Sequence, residues 1–313
     1  MEYALEERIG EPDLFTGRKK ELDYFLKWIN DIKRRKSKST AILARRKTGK
    51  TALAQRLYNI TYFKNDGVIP FYYEIKEIKM WMVDFCRDFF LTFIYQYIAF
   101  KTRKPEYLKM ENASNFAKTI EIAKKEGLDY LCGMIESVAH AVTHEEAGIL
   151  WEIVREAPQT IATRQKEFIV QMIDEFQFIN ARIYRNKDMT NLVDDMAAGY
   201  LGTAESKIAP LLVSGSWVGW LLALLMEMLP SRFKHKPLGN MPENESIEMV
   251  YNYAQFFDVP VTEETVYLIA QMAEGKYNFM KGNYAEEFCK SNGIACSDDM
   301  RWLEKIEASN IGS

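Results

Sequence analysis

Thr40-Ala41-Ile42-Leu43-Ala44-Arg45-Arg46-Lys47-Thr48-Gly49-Lys50-Thr51 is a short apolar run that breaks into a basic loop and closes on Gly-Lys-Thr. It predicts a buried β-strand feeding a phosphate-binding loop. Such a loop needs a glycine so that backbone N–H groups can curl around phosphate oxygens, a lysine to reach the terminal phosphates, and a hydroxyl for Mg²⁺. Gly49, Lys50 and Thr51 supply these in order. Ala52-Leu53-Ala54-Gln55-Arg56-Leu57-Tyr58 follows as a helix former with an apolar stripe, so the loop is expected at a helix N-terminus whose dipole favours anions. Candidate phosphate contacts therefore run through Arg45, Arg46, Lys47, Thr48, Gly49, Lys50, Thr51 and Ala52. One position departs from the pattern G-x-x-x-x-G-K-[ST]. Ala44 stands where the first glycine belongs, and alanine is the smallest side chain for the strand-to-loop bend.

A polyphosphate site of this kind needs a second, acidic strand. Phe168-Ile169-Val170-Gln171-Met172-Ile173-Asp174-Glu175 is a mostly apolar run closed by two carboxylates. Asp174, at the C-terminal end of a neighbouring parallel strand, suits the hydration shell of Mg²⁺ beside Thr51, and Glu175 suits orientation or deprotonation of an attacking water. Two matching halves in this order point to a bound nucleotide.

The composition excludes little else. The 313 residues are 48% hydrophobic with net charge −3, enough for a large core and a smaller domain, and with no global field that selects nucleic acid or anionic membrane. Cys86, Cys132, Cys289 and Cys296 form no C-x-x-C pair and read as reduced thiols, and Met1–Arg8 lacks the basic start and apolar core of a signal peptide, so a cytoplasmic protein is expected. The uncharged run Ile208–Met226 is broken by Pro210 and Ser214-Gly215-Ser216, and reads as a buried strand followed by a buried helix rather than a membrane span. His140 and His144 lie four apart, with Ala141 where a zinc-protease pattern places glutamate, and read as a surface pair. The basic run Lys33–Lys38 reads as a solvated helix end.

Phe15-Thr16-Gly17-Arg18-Lys19-Lys20-Glu21-Leu22 precedes the loop by about two dozen residues. An aromatic-x-Gly-Arg-x-x-Glu-Leu box before a loop of the form x-Arg-Arg-x-x-Gly-Lys-Thr resembles the archaeal-type ATPases, P-loop NTPases allied to the AAA+ and STAND proteins. The segment Asp174-Glu175-Phe176-Gln177 continues the likeness. The resemblance implies ATP or ADP with Mg²⁺, Gly17 and Arg18 near the adenine side, and a γ-phosphate sensor at the end of the strand 209–213. Ser216 best matches that sensor and Ser214 is the runner-up, while a hydroxyl capping the next helix is an equal reading of Ser216. The segment Leu229–Leu238 resembles the family's arginine-bearing exit from the core, which makes Arg232 a candidate for transition-state stabilisation from a neighbouring subunit.

The expected architecture is α/β, a parallel P-loop NTPase sheet flanked by helices, with strands near 40–44, 68–75, 168–173 and 209–213. The core would span 1–240, with a helical insertion at about 79–157, and a small all-α lid would span 241–313. Lid helices are read at Ser246–Phe257, Thr262–Glu274 with Thr262 as N-cap, Tyr284–Lys290 and Ser297–Ala308; Gly275-Lys276-Tyr277 lacks the proline that STAND-type lids carry there. Relatives continue into a winged-helix domain, so this chain reads as part of a longer one with DNA as a possible partner. Protein binding or self-association through the insertion is also expected, and no membrane. The resulting expectation is an ATP-hydrolysing molecular switch; the alternative is a nucleotide-tuned protein- or DNA-binding module with little turnover.

Overall fold

The computed structural model describes residues 4–110 and 115–273. In chain order the regular elements are α1 (Lys19–Asn30), β1 (Thr40–Leu43), α2 (Lys50–Lys64), β2 (Val68–Glu74), β3 (Met80–Trp81), α3 (Met82–Thr102), α4 (Phe116–Lys125), α5 (Cys132–Thr143), α6 (Ala147–Gln165), β4 (Phe168–Asp174), β5 (Ile183–Tyr184), β6 (Leu211–Gly215), α7 (Val218–Met228), β7 (Lys234–Pro237), α8 (Glu243–Phe256) and α9 (Glu263–Met272). Five strands form one sheet in the order β2-β4-β6-β1-β7, parallel at every pairing. Strands β1, β2, β4 and β6 are buried almost throughout, as a parallel sheet covered by helices on both faces demands. The α/β fold class expected from the sequence is the one observed.

Two expectations change. Strand β4 does not lie beside β1, because β6 is inserted between them; Asp174 therefore reaches the loop across one intervening strand. The segment Leu229–Leu238 does not leave the core. It contains β7, which pairs with β1 from Thr40↔Lys234 to Leu43↔Pro237. Its Lys-His-Lys-Pro sequence looks like a linker because this is an edge strand, mostly exposed, where charge and proline block further pairing. The uncharged run is strand β6 followed by helix α7, and among the described residues no helix is long and apolar enough to cross a membrane.

The other edge is closed differently. Gln96, on α3, accepts a hydrogen bond from the Tyr72 N–H and donates one to the Tyr72 carbonyl, each 2.8 Å, so a side chain stands in for a sixth strand beside β2. Around it Phe71 packs on Phe89 and Phe93 with ring centroids 5.1 Å apart, and Tyr73 on Phe89 at 4.8 Å. Buried residues of α3 to α6 are continuous with the core of the sheet. A short second sheet, β3 with β5, which the sequence reading lacked, ties the start of this segment to the chain after β4. Gln96→Ala leaves a buried N–H and a buried C=O without partners and is expected to destabilise the protein by about 2–4 kcal/mol, read as a lower midpoint in urea at unchanged slope.

A separate apolar cluster joins Ile9 and Leu14 to Met241, Met249, Val250, Tyr253, Val266 and Ile269, so the N-terminal segment packs with α8 and α9. Helix α9 is capped by Thr262, whose hydroxyl accepts from the Thr265 N–H at 3.2 Å. The readings at Tyr284–Lys290, Ser297–Ala308, Gly275-Lys276-Tyr277, Cys289 and Cys296 lie outside the described residues.

Candidate functional site

The site lies at the C-terminal edge of the sheet. Beyond Leu43 the chain turns through the loop into α2, with left-handed backbone at Lys47 (φ 69°) and Gly49 (φ 83°). The second of these sits where α2 begins and suits a residue without a Cβ. The Thr48 hydroxyl donates to the Arg45 carbonyl at 2.9 Å and closes the loop on itself. Ala44 is buried and does not have positive φ, so its methyl occupies the first glycine position without left-handed strain.

Lys50 Nζ lies 2.5 Å from Glu175 Oε1 and 3.4 Å from Ser216 Oγ. The Thr51 hydroxyl donates to Asp174 Oδ2 at 2.5 Å, and the other Asp174 oxygen accepts from the Glu175 N–H at 2.9 Å and from the Ser214 hydroxyl. Glu175 adopts left-handed backbone, φ 53°, uncommon outside glycine and asparagine, which turns its carboxylate toward Lys50. That carboxylate also accepts from Ser216 Oγ at 2.5 Å, the Ser216 N–H at 3.2 Å and Gln177 Nε2 at 2.5 Å. Burial alone would raise the Glu175 pKa, but the Lys50 charge and the hydrogen bonds from Lys50, Ser216 and Gln177 outweigh it and hold the group below the ordinary carboxylate value. These residues border a cleft of about 240 Å³ lined by Arg8, Ile9, Arg46, Lys47, Gly49, Lys50, Thr51, Ala52, Glu175 and Ser216.

The Thr51 and Asp174 oxygens are hard donors and fit a small divalent cation that takes one or two protein ligands and completes its shell with water and phosphate oxygens. Among the described residues no group of three His, Cys, Asp or Glu side chains is placed to hold a metal by protein ligands alone. His140 and His144 stack on each other with ring centroids 4.1 Å apart.

Other predicted residues take different places, although Arg46 also lines the cleft. Gly17 and Arg18 lie outside the cleft lining, and Arg18 braces the loop through Thr48. The buried Arg18 donates from Nη2 to the Thr48 carbonyl at 2.8 Å, and its backbone N–H donates to Glu245 Oε2 of α8 at 2.7 Å. A Cβ on Gly17, whose φ is 73°, would sit 2.8 Å from Glu245 Oε2 and 3.0 Å from Met241 Sδ. Arg45 is exposed, while Arg46 pairs with Glu77 at 3.2 Å and lies 5.4 Å from the Trp217 ring. Arg232 pairs with Glu205 at 2.9 Å and precedes β7, at the edge of the sheet opposite the loop, so it does not reach the cleft of its own chain. Ser216 does not cap α7, whose N-cap position is Trp217; its hydroxyl belongs to Glu175.

Sequence reasoning missed Arg8, Ile9, Glu245 and the roles of Ser214 and Gln177. Ser214 was the runner-up for the sensor and Gln177 belonged to the Asp-Glu-Phe-Gln likeness, but their bonding to Asp174 and Glu175 depends on how β4 and β6 pair. Gly215 shows the same dependence, because a Cβ there would fall 2.0 Å from Gln177 Oε1.

No protein-family model and no curated protein matches the sequence. Among solved structures, the Walker-type ATPase PABY2304 of Pyrococcus abyssi superposes with a TM-score of 0.52 at 13% identity, over 98% of this chain and 74% of its own. The ORC1 protein of Aeropyrum pernix in complex with DNA gives 0.50 at 12% identity, over 98% of this chain and 68% of its own. This is the AAA+ P-loop NTPase fold. The structural match is thus to archaeal Walker-type ATPases, the group that the Gly-Arg box and the Arg-Arg-x-x-Gly-Lys-Thr loop resemble. In this fold the cleft between the loop, the end of β4 and the end of β6 is the candidate functional site.

Proposed function

We propose that the chain binds ATP or ADP with Mg²⁺ in the cleft at Lys47–Ala52 and hydrolyses ATP as a molecular switch of AAA+ or STAND type, with residues 1–240 as the core and the helices from 241 as a lid. The single observation that carries this reading is the convergence of Lys50, Thr51, Glu175 and Ser216, drawn from three separate segments, on one cleft at a helix N-terminus, with Asp174 bonded to Thr51 beneath it.

In this reading the loop N–H groups and Lys50 hold the β- and γ-phosphates. Thr51 and Asp174 hold Mg²⁺, which supplies charge neutralisation on the phosphate oxygens. Glu175 orients water and accepts its proton, for which it must give up Lys50 to the phosphates. Ser216, in contact with both Glu175 and Lys50, registers whether the γ-phosphate is present. Arg18 links the loop to Glu245 of α8, so a change in the loop is felt by the lid through Arg18.

Titration calorimetry with Mg·ATP and Mg·ADP, paired with phosphate release under saturating Mg·ATP, tests the reading. Saturable 1:1 binding that weakens when Mg²⁺ is chelated, together with steady phosphate release, is the expected result. Heat of dilution alone for both nucleotides would remove it.

A further inference from the structure

The segment before α1 is not a loose leader among the described residues. Asn59 Oδ1 accepts from the N–H groups of Ala4 and Leu5 at 3.1 and 2.8 Å, and Asn59 Nδ2 donates to the Leu5 carbonyl at 2.8 Å and to Glu7 at 2.9 Å. Glu7 is fully buried in its side chain and pairs with Arg56 at 2.9 Å, and Gln55 accepts from the Arg8 N–H at 2.9 Å. All three anchoring residues lie on α2, the helix that grows out of the loop. The position of Arg8 is therefore indexed to the phosphate loop.

Arg8 enters the lining of the cleft, and its Nη2 contacts both Glu74 oxygens, at 2.5 and 2.6 Å. Glu74 ends β2 directly opposite Asp174 in register, which puts the guanidinium on the Asp174 side of the cleft. The Arg8 side chain is 61% exposed and the Glu74 side chain 26%. An ion pair that open contributes little to stability, so it does not account for the buried anchoring that places it. Glu74, Asp174 and Glu175 together make this side acidic; burial and then those two neighbours push Glu74 above its ordinary value, with Arg8 acting against them. A polyphosphate entering here needs a second cation besides Lys50, and a guanidinium fork matches phosphate oxygens two at a time.

We propose that Arg8 is a phosphate-binding residue of the nucleotide site, supplied by the same chain, and that Glu74 holds it in readiness and competes with the nucleotide for it. This rests on the nucleotide reading above and assigns to the N-terminal segment the arginine that Arg232 does not provide in its own cleft.

The test compares Arg8→Ala, Arg8→Lys and Glu74→Gln with wild type in the full chain, by calorimetry with Mg·ATP and Mg·ADP and by thermal melting. Arg8→Ala is expected to weaken Mg·ATP by about 10- to 100-fold, the usual range for losing a charge-assisted contact, and Arg8→Lys by less. Glu74→Gln is expected to tighten it by roughly two- to fivefold, since it removes both a competitor and a repelling charge. Opposite signs are the signature, because a merely structural clamp would weaken binding and lower the melting temperature alike in Arg8→Ala and Glu74→Gln. That same-sign result overturns the proposal, as does unchanged affinity in Arg8→Ala when Lys50→Ala abolishes binding. Wild-type protein that binds neither nucleotide would instead remove the nucleotide reading itself.

Discussion

Glu175→Gln is expected to reduce phosphate release by about 10²- to 10⁴-fold, the range for loss of a positioned general base, while Mg·ATP affinity stays equal or becomes tighter. The side chain keeps its size, and its amide oxygen still accepts from Ser216, so the cleft keeps its shape. Only the charge goes. Because the Glu175 carboxylate is held below its ordinary value, it is ionised throughout the neutral range and needs no further pH rise to accept a proton. The cost of that arrangement is a base weakened by Lys50 until the lysine moves onto phosphate. Glutamine in its place frees the lysine from its carboxylate, which is why affinity does not fall. Single-turnover hydrolysis within threefold of wild type would remove Glu175 from the chemistry.

Lys50→Ala carries the other large effect, on binding. Loss of a cation that contacts two phosphates is expected to weaken Mg·ATP by about 100- to 1,000-fold. It also leaves Glu175 as an uncompensated charge in a site where the Lys50 and Glu175 side chains are 8% and 13% exposed, so about 3 kcal/mol or more of stability should be lost near neutral pH. The sign with pH follows from the depressed Glu175 pKa. Its stabilising contribution is fully present above the ordinary value of 4.5 and is lost as the pH falls through the lower folded value. The stability gap between wild type and Lys50→Ala should therefore narrow in acid. Adding Glu175→Gln to Lys50→Ala should recover stability at neutral pH without recovering nucleotide, which separates the folding role of the pair from its binding role. Wild-type affinity in Lys50→Ala would contradict the phosphate assignment outright.

What could be read from the chain alone was local. The loop at Arg45–Thr51, the strand before it and the helix after it are contiguous, so their backbone geometry and apolar pattern stand in one stretch. Asp174 and Glu175 were legible because a buried strand ending in two acids is a short-range signal, and the Gly17-Arg18 box because it stands in one short stretch about two dozen residues before the loop. Ser216 came from the family resemblance, as a polar residue after the strand at 209–213, although its partner, Glu175, was not foreseen.

Tertiary structure decided the rest, for reasons of distance and exposure. Strand β7 carries lysine, histidine and proline because solvent reaches it, so only its hydrogen bonds to β1 reveal a strand. The placement of β6 between β1 and β4 is a pairing choice between apolar strands of similar composition, which no residue announces. Arg18 became a brace through Thr48 and Glu245, and Arg8 a cleft residue through Gln55 and Glu74, in contacts that span 30 to 227 positions of sequence. An exposed arginine in sequence has the same appearance whether it faces water or a phosphate; only the folding of the N-terminal segment onto α2 gives Arg8 a side to face.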